Sequence, residues 1–253
     1  MMNVVLALAL VVCCGFSISQ AKYDDKHGRQ LTLGASPVNL KKPDLDLCNV
    51  CYQLTGQTIN QLLNIILNGA VVGGCNELCG LLNASEAIDV ACNLVCDLVG
   101  IKEFIAAIEK ADLDPVYMCE ILKACKVFDE GDANITAFTI TPKQGPAGTE
   151  FQLEVDFKTK NGTGTGEAVI EVHTVDHFPV DGGQLMESLD PGSYSIKFTL
   201  QTQKNCQQEP CEMWEKGIYN VTMRLCNGEC GSKHPHSQLY DTATGSFQIT
   251  AED

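Results

Sequence analysis

Two kinds of hydrophobic spacing divide the chain. Ile59, Leu62, Leu63, Ile66, Leu67 and Ala70 recur at intervals of three and four, which lines one face of an α-helix. Gly73-Gly74 is expected to end that helix, and a short helix is expected to follow to about Leu82. Asn83, with Glu86 three residues on, makes a capping-box-like start for a third helix carrying Ile88, Ala91, Cys92, Val95 and Val99. Gly100 punctuates the pattern, and a fourth helical segment runs over Phe104, Ile105 and Ile108. Asp114-Pro115 then supplies an N-cap and a first-turn proline for a fifth helix through Cys125.

Past Phe128-Asp129-Glu130-Gly131-Asp132 the period drops to two. Residues 151–157 alternate strictly, and similar runs occupy 168–175, 194–200 and 219–225. With 135–141, 184–189 and 245–250 these make about seven short strands, the pattern of an antiparallel sandwich. Tyr194 sits just after the tight turn Leu189-Asp190-Pro191-Gly192-Ser193, as tyrosines do at sandwich corners. The expected fold class is α+β in two domains: an all-α, five-helix, disulfide-stapled domain followed by an all-β, immunoglobulin-like antiparallel sandwich. The expected boundaries are a signal peptide at 1–21, a flexible leader at 22–43, a helical domain at 44–128, a linker at 129–134 and the sandwich at 135–253.

Cysteine spacing sharpens the helical half. Its eight cysteines fall as Cys48-x-x-Cys51, Cys75-x3-Cys79, Cys92-x3-Cys96 and Cys119-x5-Cys125. Positions four apart share a helix face, so two antiparallel helices can pair Cys79 with Cys92 and Cys75 with Cys96. The same nesting gives Cys51–Cys119 and Cys48–Cys125. A zinc site is the competing reading of such pairs. An exporting leader and the lack of clustered histidines argue against it. In the β half, a hairpin of 194–204 with 217–225 would hold Cys206 and Cys211 near its turn and Cys226 and Cys230 at its far end. A disulfide cannot bridge that span, so local Cys206–Cys211 and Cys226–Cys230 bonds are expected.

Composition narrows the setting. Seventeen Lys and Arg stand against 32 Asp and Glu, a net charge of −15, which excludes a protein that binds nucleic acid through a basic surface. The apolar run at 4–12 is too short to span a bilayer, and Ser19-Gln20-Ala21 offers a small-residue cleavage site. Removing that segment takes Cys13 and Cys14 and leaves twelve cysteines, an even number suited to an oxidising compartment. Sequons at Asn83, Asn134, Asn161 and Asn220 complete the expectation of a secreted glycoprotein, with lysosome or endosomal vesicle as the alternative location.

The outer Cys48-x-x-Cys51 and Cys119-x5-Cys125 pairs, the central cysteines and the five helical segments resemble a saposin B-type domain. One departure is the second central disulfide, where that family has a single one. The whole layout, with Gly145-Pro146-Ala147-Gly148-Thr149 entering a strand of the β-rich tail, is similar to the countin-like family. That resemblance implies a secreted component of a cell-number-counting complex and brings no catalytic residues with it.

The first helix bears on what the protein contacts. No charged residue lies between Asp46 and Glu77, and the polar stripe is Gln57, Asn60, Gln61, Asn64 and Asn68. One reading turns Ile59, Leu62, Leu63, Ile66, Leu67 and Ala70 to lipid when the bundle opens; the other buries them in the domain's own core. Residues 44–130 hold 13 acidic and 4 basic side chains, a net of −9, so acid is expected to relieve repulsion from anionic membranes. No G-x-S-x-G, H-E-x-x-H or P-loop pattern is present, and no catalysis, cofactor or metal is expected. His173 and His177 around Asp176, and His234 with His236, are read as turn and strand-end residues before metal ligands. Trp214 is read as a buried anchor, with a partner contact as the alternative. The expected function is non-enzymatic and extracellular, in signalling or complex assembly. The helical domain would contact lipid, membrane surface or a partner, and the sandwich would contact protein. The alternatives are a lysosomal lipid-binding activator and an acid-dependent membrane-permeabilising protein. Non-reducing peptide mapping should recover Cys206 and Cys211 in one linked fragment; a Cys206–Cys230 crosslink would refute the local pairing.

Overall fold

In the computed structural model, residues 29–30, 33–35, 46–68, 73–111, 113–177, 179–202 and 213–251 are described. The expected signal peptide, Ala70 and the Cys206–Cys211 pair lie outside them. Helix α1 spans Leu47–Leu67, started by Asp46, whose side chain accepts from Asn49 N–H at 3.3 Å. It stops before the expected Gly73-Gly74, with Asn68 as its last capping residue. Helix α2 is Cys75–Gly80 and α3 is Glu86–Val99. Asn83 does not cap α3 as expected: Ser85 holds that position, and Asn83 takes a left-handed turn conformation at φ 48°. Helix α4 is Ile101–Ala111 and α5 is Pro115–Ile121, where Asp114 caps Tyr117 N–H at 2.8 Å. Helix α5 ends short of Cys125 because the N–H groups of Ala124 and Cys125 both turn back onto Cys119 O. Leu54, Leu62, Leu78, Val95, Phe104 and Met118 lie in the helical core.

Among the described residues, ten strands form two sheets: β1 Arg29–Gln30, β2 Leu33–Ala35, β3 Asn134–Thr141, β4 Gln144–Pro146, β5 Glu150–Thr159, β6 Gly166–His173, β7 Val180–Met186, β8 Gly192–Gln201, β9 Gly217–Asn227 and β10 Gln238–Thr250. The six-stranded sheet runs β1-β7-β6-β9-β10-β4, and the four-stranded sheet runs β2-β8-β5-β3. Alternating residues of both sheets bury Phe151, Phe157, Phe198, Tyr219, Phe247 and Trp214 between them. Tyr219 and Phe247 stack at 5.2 Å, with Phe151 4.3 Å from Phe247 on the other sheet. Trp214 is buried beside this stack, 5.4 Å from Tyr219. At the expected corner, Tyr194 O–H donates to Asp190 O at 2.8 Å.

The fold class differs from the expected one. Five helices occupy a short N-terminal region, and a β-rich domain follows, but the pairing is not all-antiparallel: β10 pairs with β4, and β1 with β7, in parallel. Strands β1 and β2 precede the helices in the chain yet belong to the two sheets, so helices and strands are not segregated into an all-α domain and an immunoglobulin-like antiparallel sandwich. The saposin-like and immunoglobulin-like assignments do not stand on this architecture. The expected hairpin of 194–204 with 217–225 is also absent. β8 pairs with β5 in one sheet while β9 pairs with β6 and β10 in the other. An alternating pattern fixes which face of a strand is buried, and leaves its neighbour and direction to the tertiary packing.

Phe247→Ala should cost about 3–5 kcal/mol of stability, because three aromatic rings around it cannot collapse into the void. Urea unfolding followed by Trp214 fluorescence measures the loss; a change below about 1 kcal/mol would show that the stack is not the centre of this core.

Candidate functional site

The roll of α1 about its own axis sets up the site. Cys48, Cys51, Thr55, Ile59 and Leu62 follow one helical face, and Gln53, Gln57, Asn60 and Asn64 follow the opposite one. Cys48 is bonded to Cys125 and Cys51 to Cys119, with Cα separations of 4.5 and 5.9 Å. Cys75–Cys96 and Cys79–Cys92 join α2 to α3 in the same nested manner. These links turn the first face inward. Of the lipid-contact candidates, Ile59 and Leu62 are buried, and Leu63 and Ile66 pack partly buried against the same core. Leu67 stands 71% exposed.

The amide face looks across a cleft of about 980 Å³ at the outer surface of the six-stranded sheet. Alternation along β6 sends Ala168, Ile170 and Val172 into the sandwich, leaving Glu167, Val169 and Glu171 toward the cleft. Register sets Asp181 of β7 beside Glu171, and Gly183 and Arg224 on either side of Val169. Arg224 donates to Glu171 at 2.9 Å. Gln53, Gln57, Asn60 and Asn64 make no side-chain hydrogen bond among the described residues.

One end of the cleft is closed by polar contacts. Tyr52 O–H donates to Glu167 Oε1 at 3.0 Å, and Cys230 N–H donates to its Oε2 at 3.2 Å. Ser232 O–H donates to Asp114 Oδ2 at 2.6 Å, the same carboxylate that caps α5. The His234 ring stacks on Tyr117 with centroids 4.4 Å apart. The Cys226–Cys230 disulfide anchors the loop carrying these residues to the end of β9. The expected linker is also pinned. Asp132 accepts from the N–H groups of Asn161 and Lys160. A side chain at Gly131 would come within 2.5 Å of Tyr240 Oη.

Burial governs the electrostatics of this junction. Glu167 is pushed up to about 7 by desolvation; its two hydrogen bonds oppose the shift, and the charges of Asp114 and Asp181 reinforce it. Glu120, also buried, is raised to about 7 by desolvation against the opposing charge of His236, with Asp114 and Asp129 adding to the rise. Glu187, after β7, reaches about 8 through desolvation and a hydrogen bond shared with Asp46, the residue that caps α1. Helices and sheet therefore meet through carboxyl groups that favour their neutral form.

The remaining expected residues are dispersed. Asn83, Asn134, Asn161 and Asn220 are all exposed, although Asn161 Nδ2 already donates to Glu130 O at 3.2 Å. His173 pairs with Glu171 at 3.2 Å, His236 with Asp129 at 2.8 Å, and His177 lies in a turn. Among the described residues, no three metal-ligating side chains converge.

Family models cover both halves: the countin N-terminal domain matches residues 46–123, and the countin C-terminal domain matches residues 133–253. The chain belongs to the countin family. Countin-1 of Dictyostelium discoideum is 33% identical over 209 residues, spanning 83% of this chain and 80% of that protein. Countin-3 of the same organism is 32% identical over 202 residues, 80% of this chain and 89% of its own. Countin-2 is 33% identical over 221 residues, 84% of this chain and 83% of its own. The stretch between the two countin domains contains Cys125 and the pinned linker. The charge-free amide stripe of α1 is the sign of the cleft that the sequence carries, since amides turned toward the protein need polar groups or water opposite them. Nothing in the sequence marked Tyr52, Glu167 or Ser232 as junction residues, because their partners lie more than a hundred positions away.

The pH dependence of the junction has a definite sign. A carboxyl raised from 4.5 in the unfolded chain to about 7 or 8 in the folded one stabilises docking fully below about pH 4.5. That stabilisation is lost as pH climbs to about 7–8. Thermal unfolding between about pH 4.5 and 8 should show declining stability from these groups. Glu167→Gln, which keeps an acceptor for Cys230 and offers a donor to Tyr52, should flatten the slope; an unchanged slope would rule out Glu167 as a contributor.

Proposed function

We propose that this countin-family chain is a secreted, non-enzymatic glycoprotein that acts in extracellular signalling or complex assembly. The β-rich domain supplies a protein-contact surface, and the helical region engages lipid or a partner. The observation that carries this reading is the match of a countin family model to each half of the chain, helical and β-rich. The leader-like segment, the even cysteine count beyond it and four exposed sequons support passage through an oxidising, glycosylating compartment.

Lipid engagement is the finer part of the proposal. Ile59 and Leu62 of the α1 stripe lie in the helical core, so they reach a membrane only if α1 and its neighbours part. The four disulfides keep the helical pairs linked while they do so. Acid acts on two separate surfaces here. It neutralises outward carboxylates that repel anionic lipid, and it tightens the helix–sheet junction, which is not the seam that covers the stripe.

Two measurements test the reading. Fractionated conditioned medium should contain the protein, N-glycosylated, in a complex larger than the monomer; retention inside cells or migration as a lone monomer would overturn it. Flotation with phosphatidylserine-containing liposomes should recover more protein at about pH 4.5 than near neutrality. Equal recovery, or none, rejects acid-promoted lipid engagement.

A further inference from the structure

We propose that the cleft between α1 and the six-stranded sheet binds a neutral oligosaccharide, held by the α1 amides on one wall and by the carboxylates and Arg224 of the sheet on the other. The cavity, about 980 Å³, lies at the upper end of the usual range of about 300–1,000 Å³ for small-molecule sites, room for several sugar rings.

The chemistry of the walls selects the ligand class. Gln53, Gln57, Asn60 and Asn64 each present a carbonyl acceptor and an amide donor, and none is engaged by another side chain among the described residues. Opposite them stand Glu171 and Asp181 as acceptors, with Arg224 as the donor. A sugar hydroxyl donates one hydrogen bond and accepts two, so rows of vicinal hydroxyls match walls that offer both roles. An acyl chain would strip water from these amides and carboxylates without replacing their hydrogen bonds. An anion would meet the carboxylates of Asp114, Glu171, Asp181 and Glu229 along the lining, against Arg224 and Lys233 as its Lys and Arg side chains among the described residues. Glu171 is already tied to Arg224, and Glu167 is turned to Tyr52 and Cys230, which weakens the case for a cationic ligand as well. The absence of Lys and Glu from α1 has a physical reason in this picture: a long charged side chain there would fill the cleft or pair across it and close it.

The full-length protein, with its own N-glycans enzymatically removed, would be applied to an array of immobilised neutral, sialylated and sulfated glycans. Retention on neutral oligosaccharides is expected. The combined Gln57→Ala, Asn60→Ala and Asn64→Ala variant should lose at least about tenfold in affinity with its unfolding midpoint unchanged. Gln61→Ala, on the same helix but outside the cleft lining, should bind like the parent protein. Should the triple variant misfold, Asn60→Ala alone is expected to lose about fivefold. No retention on any glycan, preference for the acidic glycans, equal loss in Gln61→Ala, or calorimetric binding of spermidine in place of any sugar would each overturn the proposal.

Discussion

Two disulfides less than one helical turn apart fix α1 rotationally. A single link would hold the helix near its neighbours and leave it free to roll. With Cys48 and Cys51 both bonded, to Cys125 and Cys119, one face must look inward and the other must look out over the sheet. The helical core, the cleft and the Tyr52–Glu167 contact all follow from that orientation. Rotating α1 by half a turn would bury four amides without partners and expose Ile59 and Leu62, a cost of several kcal/mol on either count.

The junction has the opposite character. It contains carboxyl groups that are comfortable when protonated, a stacked His234–Tyr117 pair and a few short polar contacts. Disulfides tie the helices to one another, while the helices meet the sheet through hydrogen bonds, one ring stack and carboxyl groups whose contribution varies with pH.

Local regularities in the sequence told most about the helices. Spacing of three and four placed α1, glycine and capping signals bounded the other helices, and cysteines four apart implied the nested links of α2 to α3, because helix geometry converts separation along the chain into a shared face. Asp114-Pro115 marked the start of α5 for the same local reason. Alternation marked seven of the strands at least in part, missed β1, β2 and β4, and did not give their partners: β8 and β9 read as a hairpin and lie in opposite sheets, and β4 joins β10 in parallel. The amide stripe of α1 was visible, yet its meaning depended on Glu171, Asp181 and Arg224, which only the folded register sets opposite it. Residue 83 read as a cap because its side chain suits one; the backbone used its tolerance of positive φ instead.

Trp214 gives the molecule a built-in division of signals. It is the chain's single tryptophan, and its ring sits against Tyr219 within the β-rich core. Emission from that indole follows melting of the sheets, while ellipticity near 222 nm is dominated by the five helices of the other region. A single denaturation run observed in both channels resolves whether the two regions come apart together or in succession, with no label and no engineered reporter.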